Sequence, residues 1–357
     1  MKKTDGTKLR EGLNSFLTSL IAIVLAMIAG SILISLVDAS PAAVFSALFK
    51  GAFGSGKSIV GTLNRMAPIL MAGLALTVGN SASLFNIGFT GQFMLGSLFA
   101  TWVGVYIKLP AVPLIALMLL AGVIGSCLWA AIPTWFQLSR NVNFVFSGIM
   151  MNYIALYLCN WLIMQFPGYN AMSNATPTIQ ESARLPTILN SLGGVNSSII
   201  IAILLVAVSS VIMFKTKVGF EMRAVGANRN AALSAGISIN KRMFQAGLLS
   251  AVFAGLGGAL EVMGSTYRMQ QDVQPTYLVM GIAVSMLGKE NPAAILVASL
   301  LFAGMQNGST MMQLKTGVSS QFVMAVQGML IIFICSENFI TYIGKKIKAQ
   351  KRMKTEV

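Results

Sequence analysis

Histidine is absent from this chain of 357 residues. That excludes histidine-ligated metals and imidazole acid–base chemistry. Acids are scarce as well, with 10 Asp and Glu against 25 Lys and Arg. The three cysteines, Cys127, Cys159 and Cys335, stand singly in apolar runs and lack a C-x-x-C spacing. They read as small buried hydrophobes rather than as a disulfide framework or a metal site. An intramembrane enzyme would need a nucleophile–base pair or a metal cluster, and neither is offered. No catalytic and no metal-binding residue is expected.

Charge of both signs is thin: only 10% of residues are charged, where soluble chains carry about 25%. What fills the space is apolar, 55% of the chain, with a mean hydropathy of +0.76. The 34 glycines fit close helix approach in a membrane. The fold class that follows is all-α, a polytopic membrane protein. The net charge of +15 is concentrated in three places. These are the N-terminus (Lys2, Lys3, Lys8, Arg10), the segment Lys215–Arg242, and the tail (Lys345, Lys346, Lys348, Lys351, Arg352, Lys354). Basic clusters beside spans set topology and meet anionic lipid, so membrane lipid is the expected partner and nucleic acid is not.

A spanning helix needs about 20 mostly apolar residues. Ten stretches qualify or nearly so: Phe16–Val37, Ile59–Val78, Ile87–Ile107, Val112–Pro133, Val142–Ile163, Ser198–Phe214, Met243–Met263, Thr276–Leu287, Pro292–Gln306 and Gln321–Gly344. The first is too long for a signal-peptide core of about 7–15 residues and reads as an uncleaved span. The eighth and ninth are short, with Lys289 and Glu290 between them, and suggest a broken or tilted pair. Ten spans from a cytoplasmic start put both termini and the Lys215–Arg242 segment inside, as the positive-inside rule requires. Nine would not. The chain therefore reads as one transmembrane domain over 1–357. Its membrane body covers about 16–344, with a cytoplasmic loop at 215–242 and a basic cytoplasmic tail at 345–357.

Two further segments need weighing. Gly51–Ser58 reads GAFGSGKS, a literal match to the phosphate-binding loop pattern. A working loop needs a preceding buried strand. Here the helix-like Ala42–Lys50 precedes it and a span follows, so no ATP hydrolysis by this chain is expected. The outer loop Met164–Asn196, broken by Pro167, Pro177, Pro186, Gly193 and Gly194, reads either as a solvated connector or as a docking surface for an external protein.

The Lys215–Arg242 loop has helix-turn-helix character, with helix-favouring Ala231, Ala232 and Leu233 and a stop at Gly236. Its residues also carry a resemblance. Phe85-Asn86-Ile87-Gly88 with Gly91-Gln92, Met151-Asn152-Tyr153-Ile154-Ala155, Gly219-Phe220-Glu221, Arg223-Ala224-Val225-Gly226 with Asn228, Ala231-Ala232, Ala235-Gly236-Ile237 and Gly257-Gly258-Ala259-Leu260-Glu261 together resemble bacterial ABC-importer permeases. The type is the branched-chain amino acid/ribose permease family, and the likeness is greatest to its nucleoside-importer branch. It covers about residues 60–310, although Phe89-Thr90 stands where the family commonly has Ala-Glu.

The resemblance implies a permease that works with separate ATPase subunits, a second permease subunit and an extracellular solute-binding lipoprotein in the bacterial cell membrane. ATP and Mg²⁺ would belong to the ATPase, leaving this chain without a cofactor. Glu221, Arg223, Gly226, Asn228, Ala231, Ala232 and Gly236 would form the coupling element, with Asn228–Asn240 as the helix that seats on the ATPase. The solute would be a nucleoside, or alternatively a ribose-type sugar. An ion-coupled secondary transporter is the rival class, but it usually carries central intramembrane carboxylates. Only Glu261 and Glu337 are available, both near span ends where solvation at the interface is the simpler reading.

Candidate residues on the solute path are Asn86, Gln92, Asn152 and Tyr153, because amides can pair with base edges or hydroxyls and an aromatic ring can stack. For each, the competing reading is an interhelical hydrogen bond. Ala251, Gly255, Gly258 and Ala259 form a small-residue face expected to pack helices.

Overall fold

The computed structural model describes residues 21, 23–36, 39–188, 193–272, 276–289 and 291–335. The basic N-terminus, Glu290, Glu337, the tail and the outer parts of the first and last expected spans lie outside the described residues.

Most of the described residues are helical. In order, α1 is Ile23–Ser35, α2 Pro41–Phe53, α3 Gly56–Asn80, α4 Phe89–Tyr106, α5 Ala111–Arg140 and α6 Phe144–Met164. Then come α7 Ser198–Lys215, α8 Lys217–Ala227, α9 Arg229–Ser234, α10 Ile239–Glu261, α11 Tyr277–Leu287, α12 Pro292–Thr316 and α13 Gln321–Cys335. A two-stranded hairpin, β1 Thr187–Ile188 with β2 Val195–Asn196, lies in the segment between α6 and α7. Among the described residues, six helices are long and apolar enough to cross a membrane, and four shorter apolar ones accompany them.

The described residues form two compact units, one within 49–308 and one within 21–48 and 309–335. In the smaller unit Gly30 of α1 faces Phe45 of α2 and Phe322 and Val326 of α13. Ile34, Val44, Val326 and Leu330 are buried there.

In the larger unit α3 and α10 are central. Of the most apolar window of each, 72% is buried, against 28% for α5 and α6 and 33% for α7. The outer helices turn Leu120, Ile124 and Leu128 (α5), Tyr153, Tyr157 and Trp161 (α6), and Ile200, Leu204 and Val211 (α7) outward. An apolar face of that extent fits a lipid surround. Where α4, α5 and α10 meet, side chains are absent. A Cβ on Gly255 would stand 2.3 Å from the Gly122 carbonyl oxygen, and one on Gly96 2.7 Å from the Gly255 Cα. Ala251 and Ala259 are buried on α10 beside this contact. The small-residue face is thus a packing face, held by dispersion between closely approaching backbones.

Helix ends follow local chemistry. Ser55, Asn143, Thr216 and Asn228 each accept a backbone N–H at the start of a helix. Asn141 closes α5 in the left-handed region at φ 58°. The segment Gly51–Ser58 is the bend between α2 and α3, where Ser55 caps Ser58 N at 3.1 Å. It is helix–turn–helix, not the strand-led turn that a phosphate-binding loop needs.

The expected ninth span requires correction. It is not short: α12 runs 25 residues, to Thr316. Beyond Gln306 the helix carries the polar residues Asn307, Ser309 and Thr310. Asn307 donates to the carbonyl oxygens of Gly51 (3.1 Å) and Ser58 (2.9 Å), so the helix continues with that amide satisfied. The Met164–Asn196 loop is also more than a solvated connector. Ala175, Thr176, Ile179, Ala183 and Leu185 are buried. Its backbone is tied to the segment after α10 through Thr176 N to Met269 O (2.9 Å), Ile179 N to Tyr267 O (2.8 Å) and Leu185 N to Met263 O (3.0 Å).

Candidate functional site

Three structural features bear on function: the segment Ser81–Gln92, the α8–α9 hairpin, and a cavity beside the end of α10.

The first holds the amides picked out in the sequence. Asn86 is fully buried; its amide donates to Gln92 Oε1 at 2.7 Å and to Ser250 Oγ at 2.8 Å, while Gln92 returns a bond of 3.1 Å to Asn86 Oδ1. Ser250 in turn donates to the Ala75 carbonyl at 2.6 Å. Asn152 Oδ1 accepts from Gly91 N at 2.8 Å and its amide donates to Ile87 O, also at 2.8 Å. Beside it α6 crosses at Gly148, where a Cβ would sit 2.8 Å from Gly88 N. The structure thus brings Asn86, Gln92 and Asn152 to one place, with their amides spent on one another, on Ser250 of α10 and on the backbone of Ile87 and Gly91. Tyr153 is not part of this cluster; it is 57% exposed on the outer face of α6.

The hairpin is built from its caps and one small core. Thr216 caps α8 at Gly219 N (3.2 Å), and Asn228 caps α9 at Ala231 N (3.0 Å). At the end of α9 Gly236 takes φ 75°; Gly236 N bonds Leu233 O at 2.9 Å and Ile237 N bonds Ala232 O at 3.0 Å. That pair is the Schellman arrangement, which asks for glycine at this position. Ala232, Met222 and Val225 are buried with Ala82, Leu84, Phe144, Met243 and Ala246 in a single cluster. Gly226 lies so close to the Ser81 carbonyl that a Cβ would reach 2.2 Å, and Ser83 Oγ donates to Gly226 O at 3.2 Å. The Glu221 carboxylate pairs with Arg242 on α10 and with Lys217, and Arg223 stacks 4.7 Å over the Phe214 ring. By contrast the tip is bare: Leu233 is 63% exposed, and nothing lies within 4 Å of a Cβ built on Gly236.

The cavity, about 360 Å³, was not foreseen. It is lined by Phe93, Met94 and Ser97 of α4, Glu261 at the end of α10, Thr266, Arg268 and Gln270 beyond it, and Tyr277 of α11. The Phe93 and Tyr277 rings lie 5.3 Å apart at 47°. The Tyr277 hydroxyl and Arg65 of α3 both lie near enough to the Glu261 carboxylate to act on its charge. Past Glu261 the helix loosens into a π-helical turn, Val262–Thr266, and stops at Tyr267 in the left-handed region. Glu261 is therefore turned into the protein rather than to the interface. The signal was present in the spacing: Gly258 touches α4 at Phe93 and Ser97, and Glu261, three residues on, shares that face.

An α-helical membrane body with buried polar ties, a cavity and a bare helical tip defines a transport protein of the permease class. Residues 58–335 match the family described as branched-chain amino acid transport system / permease component, and the chain belongs to it. A component of this kind moves solute and is not an enzyme. The chain is 33% identical to the guanosine ABC transporter permease protein NupP of Bacillus subtilis, over 94% of this chain and 97% of that one. It is 30% identical to the nucleoside ABC transporter permease protein NupB of Lactococcus lactis, over 94% of each. It is also 30% identical to the glucose ABC transporter permease protein TsgB13 of Haloferax volcanii, over 90% of this chain and 87% of that one.

Proposed function

We propose that this chain is the translocation subunit of an ATP-binding-cassette importer that carries nucleosides across a bacterial cytoplasmic membrane. ATP and Mg²⁺ would be handled by separate ATPase subunits, and this chain would need no cofactor. A second permease subunit would complete the path, and an extracellular lipoprotein would deliver solute. Ten spans with both termini in the cytoplasm remain the topology we favour.

The observation that carries the reading is the α8–α9 hairpin, free at its tip and welded at its root. Ala232 packs with Ala82 and Leu84, and Gly226 lies against Ser81. Two residues beyond Leu84, Asn86 is bonded to α4 and α10. A push on the exposed Leu233–Gly236 tip would therefore move the ends of α3, α4 and α10 together. That is the rigid-element transition by which ATPase closure can switch a membrane path between its two faces. Asn86, Gln92 and Asn152 then serve the switch by holding helix ends, and Tyr153, exposed on α6, becomes a candidate for contact with lipid or the second permease subunit.

The nucleoside reading draws on two relatives whose names specify guanosine and nucleosides. The glucose permease supports a sugar as the second reading. Uptake of labelled guanosine and glucose in a deletion strain, with and without the chain restored, separates them. Restored guanosine uptake is expected. Restored glucose uptake alone would transfer the assignment to sugars.

A further inference from the structure

The cavity beside α10 has no part in coupling, yet it gathers the groups that a polyhydroxylated ring would use. We propose that it is the permease's own solute site, in which Glu261 receives a vicinal diol and Phe93 with Tyr277 supplies an aromatic wall. This rests on reading the chain as a carrier of nucleosides or sugars, and it names the chemistry those two solutes share.

Glu261 is the centre of the argument. An ionised carboxylate offers about four acceptor positions and no donor. The side chain lines the cavity beside Tyr277, and Arg65 offsets its charge. Two adjacent hydroxyls match two carboxylate oxygens, which is how acidic side chains hold the ribose of bound dinucleotides. A carboxylate turned inward at the end of a span is costly unless it meets protein, water or ligand. Glu261 lines the cavity, so its carboxylate is placed to accept from whatever fills the space.

The surroundings agree. About 360 Å³ falls in the range of small-molecule sites. The tilted Phe93–Tyr277 pair presents ring surface to a base or to the apolar face of a sugar. Ser97, Thr266, Gln270 and Thr276 add neutral hydrogen-bonding groups around the carboxylate. The mouth is also framed: the Met164–Asn196 loop is bonded to the backbone of Tyr267 and Met269, next to the lining residues Arg268 and Gln270.

In an importer fed by an external binding protein, half-saturation in cells is set outside the membrane. The test therefore measures binding to the purified permease–ATPase complex in lipid nanodiscs, without the binding protein, by saturation-transfer NMR. The probes are guanosine, 2′,3′-dideoxyguanosine and glucose. We expect guanosine to bind wild type about tenfold more tightly than the dideoxy analogue, the worth of one charge-assisted hydrogen bond. Glu261→Gln should remove most of that difference and leave the dideoxy analogue unaffected. Equal binding of guanosine and its dideoxy analogue to wild type would overturn the proposal without recourse to any variant. So would guanosine binding indifferent to Glu261→Gln, or binding of none of the three. If cells still imported guanosine in those cases, the transport reading would stand and only the site would fall. Glucose binding that depends on Glu261, with no guanosine binding, would keep the site and make a sugar its source, against the nucleoside reading.

Discussion

Asn152 closes two backbone positions with one amide, at Gly91 N and Ile87 O. Leucine there would leave both without a partner in a buried setting, at about 1–3 kcal/mol for each. Asn152→Leu should therefore lower the thermal unfolding midpoint of the solubilised protein, whereas Tyr153→Phe should not, since that ring is exposed. An Asn152→Leu protein of unchanged stability that fails to transport would instead put the amide on the solute. The sequence marked these amides as the polar groups worth attention, because polarity within an apolar run is visible in one dimension. Which group each would meet, 61 to 164 residues away along the chain, was not. Glu261 shows the reverse. Its position near a span end suggested solvation, and hydropathy cannot tell an end that faces the interface from one that turns into a cavity.

Among the elements, the α8–α9 hairpin was the most legible, because its punctuation is local. Capping residues and a stop glycine act within a few residues of themselves, so the turn at Asn228 and the left-handed Gly236 could be read directly. The helix is shorter than the Asn228–Asn240 range, since the Schellman turn ends it at Ser234. Valine at Gly236 would meet no neighbour within the chain but would be held at φ 75°, a strain of roughly 1–2 kcal/mol. Gly236→Val and Leu233→Asp should both leave the protein in the membrane at normal levels while weakening co-purification of the ATPase. Unchanged association in both would remove the hairpin from the coupling interface. The three-helix contact of α4, α5 and α10 makes a different prediction. Gly255→Leu drives a side chain into the Gly122 carbonyl, so the helices must part and the yield of folded protein should collapse. The length of α12 beyond Gln306 was not legible, because hydropathy does not show that Asn307 finds carbonyl partners on Gly51 and Ser58.

For the whole molecule, composition alone established the class, since a chain this apolar with so few charges has no soluble fold available to it. The number of spans depended on charge placement. That argument leans on the N-terminus and tail, both outside the described residues, so it needs a measurement of its own. Reporters fused within residues 215–242 should report cytoplasm and one within residues 170–188 the outside; a cytoplasmic signal from the second would break the ten-span topology. The energy source divides the two transporter classes more deeply than any span count. Its test is uptake of labelled guanosine into proteoliposomes holding this chain with its ATPase, partner permease and binding protein. We expect uptake that needs ATP and Mg²⁺, survives collapse of all ion gradients, and is lost with Gly236→Val. Uptake that persists without ATP and stops when the ion gradients are dissipated would contradict the account.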